Sequence, residues 1–300
     1  YYLLKFGNSQ YSSAELEMAY HEMAVNAGIS MMSSEIYETD GNKNFITKRF
    51  DRDGERKLHT QTLAAISPET ESYEGLIAVC RKLHLPESDC QEVFRRLVFN
   101  ILSNNTDDHT KNFSFIMDET GKWRLSPAYD LTYIIDAGGY LPNTGHCMYV
   151  RAKLHNISYD DAIEFAKDNG IRRADSIIQA VVGSLKQFRT IAQKYAVQDR
   201  WINTVEDAIN RHLDLWGFAD SDKTAVNLVI NGTQYNNVRI EQTYKGNFHL
   251  YANINGAERK YVIGKNKSEY GLIQSIGVSN LSKDLLADMV EKFFCHSDYC

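Results

Sequence analysis

The chain has 300 residues, with 33 Lys plus Arg against 39 Asp plus Glu and a net charge of −6. That length has room for one large or two to three smaller domains, and the acidic balance excludes the strong basic excess of a chain that binds nucleic acid over its whole surface. No apolar run approaches the roughly 18 residues that a membrane span needs, so no membrane partner is expected.

Tyr1-Tyr2-Leu3-Leu4-Lys5 reads as a β-strand already in progress. It has neither the charged flank nor the cleavage site of a signal peptide, so a preceding segment is expected. Ser12 and Glu15 have the spacing of a capping box. Leu16, Ala19, Tyr20, Met23, Ala24 and Ala27 follow at helical spacing, up to a stop at Gly28. Short strands are predicted over 35–37 and 44–49, about the turn Asp40-Gly41-Asn42.

From about residue 60 the pattern is mainly helical. Pro86 and Ser88 precede an amphipathic run with Val93, Phe94, Leu97, Val98 and Ile101 on one face, which ends in a polar cluster from Ser103 to His109. A hairpin follows, with strands at 113–117 and 123–125 about Glu119-Thr120-Gly121, leading into Pro127-Ala128-Tyr129-Asp130. Helices are predicted at 159–168, framed by Ser158 and Asp161, and at 174–196 and 199–215. After Gly217 the strands 225–230, 237–243, 247–253 and 259–263 are punctuated by Asn231-Gly232, Lys245-Gly246 and Asn255-Gly256, a meander pattern, and a helix at 281–294 closes the chain. The expected organisation is a small α+β lobe at 1–58, a helical lobe at 59–217 and a β-rich appendage at 218–300.

The densest chemistry lies in Asn105-Thr106-Asp107-Asp108-His109-Thr110-Lys111-Asn112, with Tyr129-Asp130-Leu131 beyond the hairpin. Any one Asp or Asn here is explained by turn formation; the ordered set is not. Phosphoryl transfer needs a carboxylate to take the proton of the attacking hydroxyl, and an amide oxygen and a second carboxylate to hold the magnesium that bridges the phosphates. In protein kinases the base Asp and the metal-binding Asn are separated by four residues in one loop, and the second Asp follows a hairpin. Asp107, Asn112 and Asp130 keep that order, with Lys111 placed to approach a phosphate. Lys5, the charge in an otherwise apolar strand, suits the phosphate-pairing lysine, with Glu17 as its expected partner on the next helix and Glu15 as the alternative.

The 105–115 segment is similar to the most characteristic motif of the HipA C-terminal kinase domain. Leu125-Ser126-Pro127-Ala128-Tyr129-Asp130-Leu131 resembles that family's metal-binding segment, and Lys48-Arg49-Phe50-Asp51-Arg52 its hinge signature. The resemblance covers about residues 1–217. It implies an α+β, two-lobed protein-kinase-like fold and a serine/threonine kinase using ATP and Mg2+. Asp107 and Lys111 would be catalytic, Asn112 and Asp130 the metal ligands, and Lys5, Lys48, Phe50 and His109 the nucleotide site. It further implies a cytoplasmic toxin that phosphorylates a protein such as an aminoacyl-tRNA synthetase. A HipB-like DNA-binding antitoxin would be its partner, and DNA would be met only through that antitoxin.

The family pattern also has a glycine- and serine-containing phosphate loop, with the autophosphorylation site, upstream of the lysine strand. Gly138-Gly139 lies too late to serve. The loop is therefore expected before Tyr1 or from another polypeptide; otherwise the chain is a kinase-like binding protein without transfer. A reading from another enzyme class is a phosphohydrolase with Asp107, Asp108, His109 and Asp130 about its metals. Cys80, Cys90, Cys147, Cys295 and Cys300 lack CxxC spacing and read as reduced thiols. His146-Cys147 lacks further ligands for a metal, Asp51 and Arg52 suit either nucleotide contact or an ion pair, Arg172-Arg173 reads as a solvated helix start, and the aromatics of the appendage read as its core.

Overall fold

In the computed structural model, which describes residues 1–135, 145–218, 226–230, 232–242, 247–265, 267–276 and 281–295, β1 (Tyr2–Lys5) is an edge of a three-stranded antiparallel sheet ordered β1-β3-β2. Helix α1 (Ser13–Asn26) packs on this sheet, and Gly28, at φ +82°, takes the left-handed conformation that ends it. Strands β2 (Ser34–Thr39) and β3 (Asn42–Lys48) are joined through Asp40 and Gly41, both at positive φ, the twist that suits a tight hairpin. The register of these strands sets the direction of Lys5. Lys5 lies opposite Phe45, and Phe45 opposite Ile36, so all three side chains leave the same face of the sheet. Phe45 packs there with Ala14 and Met18 of α1, and Lys5 is thereby aimed at the helix. A slip of one residue would turn it away.

The expected capping box does not form. Ser12 sits in the left-handed region at φ 47°, its side chain caps nothing, and its hydroxyl accepts from the Gln198 N–H at 3.2 Å. Glu15 faces Lys43 at 3.5 Å.

The hinge region forms the small hairpin of β4 (Arg52–Asp53) and β5 (Arg56–Lys57), and then β6 (His59–Thr62), which leads into the one-turn α2 (Leu63–Ile66). Helices α3 (Tyr73–Lys82) and α4 (Glu87–Leu102) follow; Pro86 is the cap of α4, and Ser88 lies within its first turn. A 3-10 turn at Thr110–Asn112 leads into β7 (Ser114–Met117) and β8 (Trp123–Leu125). The expected hairpin is there, but with β6 paired to β7 as a third strand. Next come α5 (Tyr159–Asp168), capped by a reciprocal Ser158–Asp161 box, then α6 (Ala174–Leu185), α7 (Phe188–Lys194) and α8 (Asp199–Leu215). The single helix expected over 174–196 is thus two, broken at Lys186-Gln187.

The chain divides into two compact units, Tyr1–Ile209 and Asn210–Cys300. The second holds β9 (Val226–Ile230), β10 (Thr233–Gln242), β11 (Phe248–Ile254) and β12 (Ala257–Ile263) as an antiparallel meander in sequence order. One face of this sheet buries Ile240, Phe248, Leu250 and Ile254 against α9 (Ser268–Ile276), which the sequence pattern did not reveal, and α10 (Lys283–Cys295). Gly138-Gly139, Asn231, the Lys245-Gly246 turn, residues 225 and 243 of the expected strands, and Cys300 lie outside the described residues. Among the described residues no helix is long and apolar enough to cross a membrane.

Candidate active site

The sheet register carries Lys5 to α1, and helical spacing carries Glu17 to the same place, because Glu17 shares a face with Ala14, Met18 and His21. Lys5 Nζ lies 2.6 Å from Glu17 Oε1 and 2.5 Å from Asp130 Oδ1. The partner of Lys5 is therefore Glu17 and not Glu15. Burial pulls the Lys5 ammonium towards neutrality, but Glu17 and Asp130 outweigh it, and its pKa is raised. Burial is also the main reason that the pKa of the Glu17 carboxyl is raised, and Lys5 holds it back in part.

Two further connections bring Asp130 to this point. The Ala128 N–H donates to Ser30 O at 2.7 Å, and Met31 and Ala128 form an isolated parallel bridge. Asp130 itself has φ +59°, a conformation that costs a non-glycine residue about 1 kcal/mol or more and that gathers at functional sites. Helix α4 braces the join. Glu92 Oε1 accepts from the Ser30 N–H at 3.0 Å and from Arg96 Nε at 3.0 Å, and Arg96 Nη2 donates to Ser126 O at 2.7 Å.

The loop after α4 is held from inside. Asn105 Nδ2 donates to Asn100 Oδ1, Asn100 Nδ2 to Tyr73 Oη, and Tyr73 O–H to Asp108 Oδ2, at 3.0, 3.0 and 2.8 Å. Asp108 is buried; its Oδ2 also meets His146 Nδ1 at 3.1 Å, and its Oδ1 accepts from the Cys147 N–H at 2.7 Å. Both oxygens of Asp108 are thus committed to the fold. Asp107, next in the chain, has a half-exposed carboxylate, with His109 Nε2 at 3.8 Å from Oδ1. Asn112 Nδ2 donates to Asp107 O at 2.9 Å, which leaves Asn112 Oδ1 as the free end of the amide. Tyr129 O–H donates to Lys111 O at 2.7 Å, so in its 2.6 Å contact with Ser114 Oγ it is the acceptor. These bonds tie the loop to the segment that carries Asp130.

A cleft of about 310 Å³, at the lower end of the range for small-molecule sites, opens beside Lys5. Its lining includes Lys5, Glu17, Lys48, Phe50, Asp130 and Leu131. Phe50 stacks on Tyr129 at 5.5 Å between centroids and 25° between planes. Arg49 and Arg52 both bond Asp51, at 2.7 and 2.6 Å, so Asp51 serves an ion pair at the hinge. Asn112 and Asp130 meet at a small adjoining cavity. Asp107, His109 and Lys111 are not among the residues that line the cleft; they belong to the loop next to it.

Asn112 Oδ1 and the Asp130 carboxylate form a hard-oxygen pair that fits Mg2+, which is commonly held by one or two carboxylates and completed by substrate phosphates and water. Among the described residues no group of three or more His, Cys, Asp or Glu is placed to hold a metal, and His146 and Cys147 turn to Asp108 instead. Sequence reasoning missed Tyr73, Glu92, Arg96 and Asn100. The signal was available: Arg96 and Asn100 fall on the apolar face that Val93 and Leu97 define in α4.

An α+β fold with two lobes about a cleft, a lysine–glutamate pair in one and a polar loop in the other, defines a kinase-like protein. The chain belongs to the family of HipA-like C-terminal domains, whose model matches residues 1–189. A protein of Haemophilus influenzae described as "Putative kinase" is 25% identical over 223 residues, covering 62% of this chain and 64% of its own length. A second of that description, Y4dM of Sinorhizobium fredii, is 29% identical over 149 residues, covering 43% of this chain and 36% of its own. The chain thus spans about half the length of the curated relatives it matches. Among solved structures, HipA of the Shewanella oneidensis MR-1 toxin-antitoxin system, in complex with HipB and its operator DNA, aligns at a TM-score of 0.58 and 17% identity. That match covers 71% of this chain and 57% of the other.

Proposed function

We propose that this chain carries the phosphoryl-transfer centre of a HipA-like serine/threonine kinase that uses ATP and Mg2+. The observation that carries the reading is the Lys5 ammonium held between Glu17 and Asp130 at the cleft, the pairing that positions nucleotide phosphates in kinases. Phe50 and Lys48 would border the base and ribose, and Lys5 the α- and β-phosphates. Asp107, half exposed, would orient a serine or threonine hydroxyl and take its proton as the oxygen bonds to the γ-phosphorus and the bond to ADP breaks. Lys111 and His109 flank that base and would add positive charge and hydrogen bonding near the transferred group. Mg2+, held by Asn112 Oδ1 and Asp130, would neutralise charge on the phosphates.

For the whole protein the reading extends to a cytoplasmic toxin. Its substrate would be a protein such as an aminoacyl-tRNA synthetase, its partner a HipB-like antitoxin, and DNA would be met only through that antitoxin. Family membership and the likeness to HipA support this extension. The phosphohydrolase reading is disfavoured because Asp108, one of its required ligands, is buried with both oxygens occupied.

The test is mass spectrometry of the full-length protein incubated with ATP, Mg2+ and a cell lysate. Phosphate on a serine or threonine of a second protein, lost with Asp107→Asn, supports the kinase. Release of free phosphate alone, unaffected by Lys5→Met, overturns it in favour of hydrolysis. A stable complex with a protein partner and no turnover overturns it in favour of a kinase-like binding module.

A further inference from the structure

The segment after Gly145 is built into the fold more firmly than its lack of helix or long strand suggests. Gly145 has φ +75°, and a Cβ there would meet Leu154 O at 2.2 Å, so only glycine fits. The His146 N–H donates to Leu154 O at 2.9 Å. Further on, the Tyr149 N–H donates to Glu71 O and the Tyr73 N–H to Tyr149 O, at 2.9 and 3.0 Å. Cys147 lies between these two seams. His146 and Met148 on either side of it are buried, while Cys147 is exposed.

Cys147 touches both carboxylates of the polar loop. Its N–H donates to Asp108 Oδ1 at 2.7 Å, and its Sγ lies 3.9 Å from Asp107 Oδ1. At that separation a sulfur donor still makes a weak hydrogen bond, whereas His109 Nε2, at 3.8 Å from the same oxygen, is too far for one from nitrogen. Partial burial of the sulfur, with Asp108 and Asp107 beside it, pushes the thiol up to about 11. The sulfur therefore keeps its proton at neutral pH and is a donor to Asp107.

We infer that Cys147 is a positioning residue for phosphoryl transfer: its thiol holds Asp107 in the rotamer that receives the substrate proton, while its backbone anchors Asp108 next door. The inference rests on the reading of Asp107 as the base. A donor on Oδ1 fixes that oxygen and leaves Oδ2 to the incoming hydroxyl. The segment from 145 to 149 thus acts on the chemistry from behind the loop.

The experiment compares Cys147→Ala, Cys147→Ser and Asp107→Asn in the full-length kinase. Cys147→Ala is expected to lower kcat roughly two- to fivefold, the scale of one weak hydrogen bond. KM for ATP should stay unchanged. Cys147→Ser, which restores a donor, should recover kcat. A second measurement needs no turnover: iodoacetamide should modify Cys147 faster in Asp107→Asn, because the neighbouring charge that holds the thiol up is gone. An unchanged kcat in Cys147→Ala, or an alkylation rate indifferent to Asp107→Asn, overturns the inference. Full activity in Asp107→Asn sinks the reading of the base itself, an outcome distinct from both.

Discussion

Lys5 Nζ and Asp130 Oδ1 meet at 2.5 Å across 125 residues of chain. The same ammonium bonds Glu17, so one cation links the first strand, the first helix and the segment beyond the hairpin.

Because that ammonium balances two carboxylates, Lys5→Met should leave Glu17 buried without its counter-charge, and the already raised Glu17 pKa should rise further. A carbon-13 NMR titration of the Glu17 carboxyl measures this, and an unchanged midpoint would contradict the pairing. The sign for stability is set by Lys5 itself. Its folded pKa lies above its ordinary 10.5, so the pair stabilises fully below about that pH and its contribution is lost as pH rises through the folded value. The difference in thermal midpoint between wild type and Lys5→Met should shrink in that alkaline window.

If Asp107 is the base, Asp107→Asn should reduce kcat by about 10²–10⁴-fold, the usual worth of a positioned acid–base group. ATP affinity, read by calorimetry, should change little. Asn112→Ala should instead raise the Mg2+ concentration needed for half-maximal rate, since it removes an oxygen ligand and not the proton acceptor.

Acid should open the hinge late. The Arg49 hydrogen bonds hold the Asp51 pKa below its ordinary 3.8. Its contribution to stability is present at neutral pH and is lost only as pH falls through that lowered value. Arg49→Gln should bring the Asp51 midpoint back up, measured by carbon-13 NMR of its carboxyl; no movement would show that the fork is absent in solution.

Tyr73→Phe should cost about 1–3 kcal/mol. It deletes the donor to the buried Asp108 and leaves Asn100 Nδ2 without its acceptor. Urea unfolding should show a lower midpoint at unchanged slope. The same variant should weaken activity if the loop depends on Asp108 for its shape.

Local features were legible. The period of α1, the polar run at 105–112 and the hairpin beyond it are each written within a few residues, so Lys5, Asp107, Asn112 and Asp130 could be named in order. Features that depend on distant partners were not. Ser12 has a capping partner in sequence at Glu15, yet Gln198, 186 residues away, takes its hydroxyl and Lys43 takes the glutamate. Strand β6 has no strong apolar alternation, and only its pairing with β7 makes it a strand. Helix α9 has Gly271 at its centre, which weakens the helical signal by about 1 kcal/mol against alanine, and its apolar face is defined by the sheet beneath it. Motif position gives Lys111 a catalytic place and His109 one at the nucleotide, and both lie in the loop beside a cleft lined by residues of the sheet, the hinge and the 128–131 segment.

The long reach between Lys5 and Asp130 also bears on when the centre can exist in a growing chain. After Lys5 is made, 125 more residues must be added before its partner appears. At about 5–20 residues per second, that takes on the order of ten seconds. By the end of that interval the strand, the helix and the polar loop have all been made while the Lys5–Asp130 link has not. A nascent chain stalled or cleaved before Asp130 would therefore lack the cation link that joins the first strand and helix to the segment beyond the hairpin.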